Sequence, residues 1–360
     1  VIVPLWVALF LGQLQLAPSV PPMLWHAHEM LFGFAVAIIV GFLLTAGKNW
    51  TGLATPRGPV LGALALLWLS ARVTAVVGPY PLYMVLDMAL LPLVAGVLVN
   101  ILLRSRSHRN LPLALILALL ATANGVFHLA VSGMLNVPAI TPLYAALGLI
   151  AMIECVMAGR VIPAFTMAVT PGLKLVADQR IERITLGMTG MGLALWVFVP
   201  ASLFGLLTLA AASGLQLKRW LGWQPWLTKN RPVLWILHVA YAWFPVGLAL
   251  LALAQIGWVP VSAGVHALAV GATGGLIIGM VSRTARGHTG RPIQASRLEV
   301  AAYLLVMLAA GLRVFVPLIA PELLVVSLIT AATAWSVAFV LYLWVFAPWL
   351  LRTRLDGKDG

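Results

Sequence analysis

The sequence predicts an all-α fold, a polytopic bundle of about twelve transmembrane helices with both termini in the cytoplasm. Hydrophobic residues make up 62% of the chain and charged residues only 9%, whereas a soluble domain carries about 25% charged residues. The apolar residues fall into long runs that match the thickness of a bilayer. The positive charges are concentrated in every second loop between those runs.

Twelve apolar runs are interpreted as membrane spans, because a helix needs about 20 apolar residues to cross the hydrocarbon core. They cover residues 1–17, 26–46, 59–78, 80–103, 111–131, 141–160, 184–198, 200–216, 233–254, 261–282, 298–316 and 322–347. The seventh and eighth are short and are divided only by a turn at Pro200, so a single bent span is the alternative there. The chain begins at Val1 inside an apolar run, and we expect a truncated first helix.

The basic residues predict the orientation of these helices. Of the 22 lysines and arginines, all but Arg72 and Arg313 lie in alternate loops or in the C-terminal tail. Cytoplasmic loops are enriched in lysine and arginine, so this side is predicted to be cytoplasmic. We therefore predict one integral-membrane domain, residues 1–360, whose longest cytoplasmic loop is 161–183.

The net charge of +13 does not indicate nucleic-acid binding. The positive residues sit in short loops between apolar runs, where membrane lipid with anionic headgroups is the expected partner. Cys155 is the single cysteine of the sequence. It excludes an intramolecular disulfide framework and any metal site built from paired cysteines.

Four of the seven histidines are predicted to lie in one outer layer of the membrane, on three helices. This layer holds His26 and His28 at the start of the second span, His128 near the end of the fifth, and His266 inside the tenth. Ionisable residues at mid-bilayer cost at least about 2.5–3.5 kcal/mol each and usually face the protein interior. A single membrane histidine is often only a helix–helix hydrogen-bond partner, but four in one layer favour metal or haem ligation.

The two-residue spacing of His26 and His28 limits how they can bind a metal. In a helix their side chains point about 200° apart, so they serve two cofactors, or one ligates while the other forms a hydrogen bond. If the helix begins only after them, an extended turn places both on one ion. Glu29 is predicted to orient a ligating imidazole; its alternative role is that of a first-turn acid favoured by the helix dipole.

Further charged residues are predicted within the spans. Arg72 and Asp87 lie on consecutive antiparallel spans and are predicted to form a buried pair. Alternatively, Arg72 and Arg313 bind haem propionates, because arginine makes bidentate contacts with carboxylates. Glu154 lies in the inner half of the sixth span, close to Arg160. That arrangement indicates either a proton path or a structural ion pair.

His238 is predicted near the inner end of the ninth span, close in sequence to Tyr241 and Trp243. This group is either a second redox or hydrogen-bonding site or a set of ordinary interfacial aromatic residues. The sequence slightly favours the second interpretation.

Three sequence blocks together resemble the NnrS family of bacterial membrane proteins. They are "WHAHEMLFGF" at 25–34 with "GFLLTAGKNWTG" at 41–52, "GRVIPAFT" at 159–166, and "HALAVGATGGLIIGMVSRTARGHTGRP" at 266–292. The likeness runs over nearly the whole chain, and the first and third blocks are highly specific in combination. The matching motif residues are His26, His28, His266 and His288, with Arg160, Arg283 and Arg291 in the basic motifs.

The resemblance implies a haem- and copper-containing, multi-pass protein of the bacterial inner membrane, associated with denitrification and with resistance to nitric oxide. On this interpretation His26 or His28 is an axial haem ligand, and His128 and His266 are the remaining haem or copper ligands. Imidazole suits both copper and haem iron. Arg72, Arg313 and Arg160 are candidate cofactor-binding residues.

If the protein is an enzyme, it is an oxidoreductase that acts on nitric oxide with the help of a redox partner. Glu29 and Glu154 are then the candidate catalytic residues, with Glu154 passing protons from the cytoplasm. Two alternatives stay open. The protein transports metal, haem or a complex derived from nitric oxide, or it is a cytochrome that only transfers electrons or senses nitric oxide.

Overall fold

The computed structural model describes residues 2–14, 20–176 and 178–357. Every regular element in these ranges is helical, which confirms the predicted all-α class. The described chain forms two compact units, one from Ile2 to Ile153 and one that begins at Glu154. Within the predicted first span, residues 1 and 15–17 lie outside the described ranges.

The first unit is built from seven α-helices, the last of which continues into the second unit. They are α1 (Ile2–Phe10), α2 (Pro22–His28), α3 (Val36–Thr51), α4 (Pro59–Val77), α5 (Tyr80–Arg104), α6 (Leu111–Val131) and α7 (Ile140–Val169). A π-helical segment, Glu29–Ala35, joins α2 to α3 without a break, so residues 22–51 form one continuous helix.

The second unit contains the end of α7 and seven further α-helices. They are α8 (Gln179–Phe198), α9 (Leu203–Gly222), α10 (Pro232–Ala254), α11 (Val261–His266), α12 (Gly275–His288), α13 (Arg297–Ile319) and α14 (Leu324–Leu350). A second π-helical segment, Ala267–Gly274, joins α11 to α12. Both π-helical segments follow a histidine directly, His28 in one unit and His266 in the other.

Nine helical segments among the described residues are long and apolar enough to cross a membrane. They are Pro22–Thr51, Pro59–Val77, Tyr80–Arg104, His108–Val131, Ile140–Val169, Pro232–Ala254, Val261–His288, Arg297–Ile319 and Pro321–Leu350. The described residues of the other three predicted spans contain α1, α8 and α9, but α1 has only nine residues. Charged and polar residues lower the hydropathy of α8 and α9. The count of twelve spans and the orientation of the termini therefore stay predictions.

The predicted seventh and eighth spans are two separate helices rather than one bent span. Helix α8 ends at Phe198 and α9 begins at Leu203. Between them, Ala201 has a positive φ of 58°, a backbone conformation that breaks a helix. Ser202 then starts α9 by accepting a hydrogen bond from the backbone of Gly205.

The predicted loop 161–183 is shorter than the sequence indicated. Helix α7 continues to Val169 with Pro163 inside it, and α8 begins at Gln179 after Asp178 caps its first turn. The charge of Arg160 had suggested a membrane boundary there, but the apolar residues after it continue the helix. The hydroxyl of Thr166, in the part of the helix after Pro163, donates to the carbonyl of Ile162 at 2.9 Å.

A buried arginine ties four helices of the second unit together. Arg219 on α9 donates to both carboxylate oxygens of Glu182 on α8, at 2.8 and 2.5 Å. Its Nη1 atom donates to the carbonyl of Cys155 on α7 and to the hydroxyl of Tyr241 on α10, each at 2.9 Å. A buried charge is tolerated only when it is paired and its donors are satisfied, and Arg219 meets both conditions.

Replacing Gly159 on α7 is expected to disturb this arginine. An added Cβ would overlap the guanidinium of Arg219. Displacing Arg219 from Glu182 breaks a buried ion pair, which costs about 3–5 kcal/mol. Alanine has a higher helix propensity than glycine, which stabilises the variant by about 1 kcal/mol. We expect Gly159→Ala to lower the free energy of unfolding by roughly 2–4 kcal/mol, measured by denaturation of the purified protein in detergent.

Gly187→Ala is the matched control, because a Cβ at this position on α8 meets no atom within 4 Å. This variant is expected to be at least as stable as the wild type. Equal stability of the two alanine variants would contradict the role assigned to Gly159.

Candidate metal centre

His26 and His28 both lie in α2 and face different neighbours. The ring of His26 stacks on Trp6 with a centroid distance of 4.1 Å, whereas the ring of His28 stacks on Phe127 at 4.5 Å. The divergence expected from the two-residue spacing in a helix is confirmed. The alternative of an extended turn that places both histidines on one ion is wrong, because helix α2 includes both residues.

Three buried side chains of the first unit place metal-ligand atoms close together. His28, Asp87 and His128 each offer one such atom, and the three atoms lie within 4.8 Å of one another. The Nε2 atom of His28 is 3.3 Å from Oδ2 of Asp87, and the Nε2 atom of His128 is 3.1 Å from the same oxygen. Two imidazoles and one carboxylate form a donor set that binds transition metals.

Two tyrosines determine which imidazole nitrogen carries the hydrogen. Tyr80 lies 3.1 Å from both Nδ1 and the carbonyl oxygen of His128. Because a carbonyl oxygen only accepts, Tyr80 donates its single proton there and accepts from Nδ1–H. Tyr83 donates likewise to Oε1 of Glu29 at 3.1 Å and accepts from Nδ1–H of His28 at 2.9 Å. In the neutral form of each ring, Nε2 is therefore an acceptor.

Both Nε2 acceptors face oxygen atoms that are acceptors too. The amide nitrogen of Asn124 donates to Oδ2 of Asp87 at 2.6 Å, so its Oδ1 is the atom that lies 2.9 Å from Nε2 of His28. The same Asp87 oxygen lies beside Nε2 of His128. Acceptor atoms at these distances repel one another unless a proton or a metal cation lies between them. This convergence is the strongest indication of a cation site in the first unit.

Arg72 on α4 balances the charge of this cluster. Its Nη1 atom donates to Oε1 of Glu29 at 2.6 Å, and its Nη2 atom contacts Oδ1 of Asp87. The predicted buried pair of Arg72 and Asp87 is thus present. Both Nη atoms contact protein carboxylates, and the binding of a haem propionate by Arg72 stays a prediction. Glu29 also lies 3.4 Å from Nδ1 of His28, a position suited to orienting that imidazole.

Glycine at position 33 of the π-helical segment leaves room for the close approach of Arg72. A Cβ there would lie 3.0 Å from both Nη1 of Arg72 and Oε2 of Glu29. A real Cβ atom rarely comes that close to another heavy atom, so a larger residue would push the guanidinium away from the carboxylates.

The remaining sequence-predicted residues lie outside this cluster. His266 ends α11 in the second unit, where its Nδ1 atom is 2.7 Å from the carbonyl of Ser262. Glu154 accepts a hydrogen bond from Thr273 at 3.1 Å and is half-buried. Arg160 and Arg313 are half-buried on α7 and α13. Of the four predicted outer-layer histidines, the structure brings His28 and His128 together.

Sequence reasoning placed Asp87 only as a partner of Arg72 and did not single out Asn124. A signal for Asn124 was present, because it lies four residues before His128 and so shares its helix face. No comparable signal marked Tyr80 or Tyr83 among the aromatic residues of the spans.

Removing the charge of Arg72 is expected to leave two buried carboxylates without a counter-ion. Breaking a buried pair by removing one partner costs about 3–5 kcal/mol. We expect Arg72→Met to lower the free energy of unfolding by about 3–5 kcal/mol. The double variant Arg72→Met/Glu29→Gln is expected to recover part of this loss. Denaturation in detergent measures both.

Arg57→Met serves as the control, because Arg57 is an exposed residue between α3 and α4. Its stability is expected to match the wild type. An Arg72→Met protein as stable as Arg57→Met would show that the two carboxylates do not depend on this guanidinium.

Comparison with known proteins agrees with this membrane architecture. A family model described as "NnrS protein" matches residues 1–354, nearly the whole chain. The comparison with curated proteins gave no match. Together with the nine apolar helical segments of the described residues, the family match identifies a multi-pass membrane protein. The chain belongs to the NnrS family.

Proposed function

We propose that this protein is a copper-binding redox protein of the bacterial inner membrane that acts on, or protects against, nitric oxide. The observation that carries the proposal is the convergence of Nε2 of His28, Nε2 of His128 and Oδ2 of Asp87 in a buried site. Membership in the NnrS family supports the link to nitric oxide.

The residues around this site suit a copper ion. Imidazole is a common ligand of copper, and His28 and His128 supply two imidazoles with Asp87 as the third donor. Glu29 and Asp87 carry two negative charges against the one positive charge of Arg72, so the cluster has an excess negative charge that a metal cation offsets. When bound, copper supplies one-electron redox chemistry.

The protein's own groups hold the donors in place. Tyr80 holds the ring of His128 through a hydrogen bond to its Nδ1 atom. Tyr83, which also bonds Glu29, holds the ring of His28 in the same way. Such partners of a ligating imidazole fix its tautomer and raise its basicity. Asn124 donates to the ligand oxygen of Asp87.

The cavity beside Asp87 is too small for haem. The cavity next to Asp87, lined on its apolar side by Phe32, Leu86 and Leu90, measures about 10 Å³. That is about the space of one water molecule and far below that of a macrocycle. Haem binding stays a prediction, to be tested by the absorption spectrum.

The same cavity suits a small, uncharged substrate. Its apolar side chains lead to the polar groups of Arg72, Asp87 and Asn124. Nitric oxide is a neutral diatomic molecule that partitions into lipid, so it needs no polar entry channel. Glu154, which bonds Thr273 in the second unit, keeps its proposed role in passing protons from the cytoplasm.

Metal analysis of natively purified protein tests the assignment. We expect about one copper per chain in the wild type, since one set of ligand atoms converges among the described residues. His28→Ala, His128→Ala and Asp87→Asn are expected to lose it. His26→Ala is the matched control and should keep its copper, because its ring stacks on Trp6 and lies outside the ligand set.

Exposure to nitric oxide then tests the substrate. We expect the gas to change the electron paramagnetic resonance (EPR) signal of copper in the wild type and in His26→Ala alike. A wild-type protein that binds no copper would refute the metal centre. Retention of copper by His28→Ala, His128→Ala and Asp87→Asn would also refute it. A copper signal that ignores nitric oxide would refute the proposed substrate alone.

A further inference from the structure

Trp68 on α4 bonds the first π-helical segment at the turn that carries Glu29. Its indole N–H donates to the backbone carbonyl of Gly33 at 2.8 Å. Gly33 lies four residues after Glu29, and a Cβ built on it would be 3.0 Å from Oε2 of that carboxylate. The bond from Trp68 therefore meets the segment directly beside the ion pair of Glu29 with Arg72.

Trp68 and Arg72 lie four residues apart on α4 and so share one helix face. The ion pair of Arg72 holds the side chain of Glu29, which has torsions of its own, whereas the bond from Trp68 holds the backbone itself. In this segment the N–H of Val36 donates to the carbonyl of Leu31, five residues back. Such π-helical turns are rare, so a bond from a neighbouring helix helps to keep this one.

A chain of hydrogen bonds leads from this turn to a ligand of the proposed copper centre. Oε1 of Glu29 accepts from the hydroxyl of Tyr83 at 3.1 Å, and that hydroxyl accepts from Nδ1–H of His28 at 2.9 Å. Glu29 and His28 are also neighbours at the change of helix type, so a shift of the turn moves both side chains. Groups behind a ligating imidazole set its orientation.

We propose that Trp68 is a positioning residue for the copper centre. It holds the first π-helical segment, and through it Glu29 and the ring of His28, in the orientation that a metal ion needs. Its indole also lines the cavity next to Asp87. The consequence for copper rests on the proposed function, whereas the hold on the segment can be measured without metal.

A pair of tryptophan variants separates this role from a loss of stability. Trp68→Phe removes the N–H and keeps an aromatic ring. Trp220→Phe in the second unit is the matched control, because it loses the same kind of bond, from the indole N–H to the carbonyl of His238 at 2.8 Å. Trp220 lies on α9 and supplies none of the converging ligand atoms.

Hydrogen–deuterium exchange of the metal-free protein in lipid nanodiscs measures the hold on the segment. In Trp68→Phe we expect the amides of residues 29–36 to exchange about fivefold faster than in the wild type, the value of one hydrogen bond. In Trp220→Phe they should exchange at the wild-type rate. Unchanged exchange in Trp68→Phe would overturn the proposal, whether or not copper binds. Trp68→Tyr, which also lacks the indole N–H, replaces Trp68→Phe if that variant does not fold.

The EPR spectrum and the affinity of copper then measure the consequence for the site. We expect Trp68→Phe to bind copper about tenfold more weakly, the effect of losing a group behind a metal ligand, and to change the copper hyperfine splitting. Trp220→Phe should keep the wild-type affinity and spectrum. Wild-type values in Trp68→Phe, or equal changes in both variants, would overturn the proposal. A wild type without copper would refute the proposed function, and the exchange rates would then decide on Trp68 by themselves.

Discussion

The ion pairs of Arg72 are the interaction on which the rest of the site depends. One guanidinium from α4 holds Glu29 of the first π-helical segment and Asp87 of α5. Two buried carboxylates without a cation would be too costly to keep side by side. With Arg72 in place, Glu29 stays beside His28, and Asp87 turns its second oxygen towards both imidazoles. Gly33 leaves the room that the guanidinium needs.

Two π-helical segments lie within continuous helices, each next to a histidine that the sequence singled out. A π-helical turn shifts the residues after it relative to an α-helix, and such segments often occur at functional sites. The first begins at Glu29, directly after His28, and so puts both residues at the change of helix type. The second begins directly after His266. Each overlaps one of the sequence blocks that resemble the NnrS family.

The sequence predicted the helices and part of the site, for physical reasons that can be named. Long apolar runs and charged loops marked the helices, and depth along the spans placed His28 and His128 at the same level. The partnership of both histidines with Asp87 was not predicted, because it depends on how α5 is rotated about its axis. The direction in which the His26 side chain points was also not predicted, because its ring stacks on Trp6 of α1, which belongs to a different helix. The 3.6-residue periodicity used to identify α-helices cannot reveal a π-helical segment. The end of α7 was predicted too early, because the charge of Arg160 was taken as the boundary of the membrane span.

If the Nε2 atoms of His28 and His128 bind one copper ion, the number of nitrogen ligands on copper is the decisive measurement. Nitrogen hyperfine couplings in the EPR spectrum report how many imidazoles are bound. Two coupled nitrogens are expected in the wild type and in His26→Ala, and one in any copper that His28→Ala or His128→Ala retains. The same number of nitrogens in all four proteins would contradict this assignment.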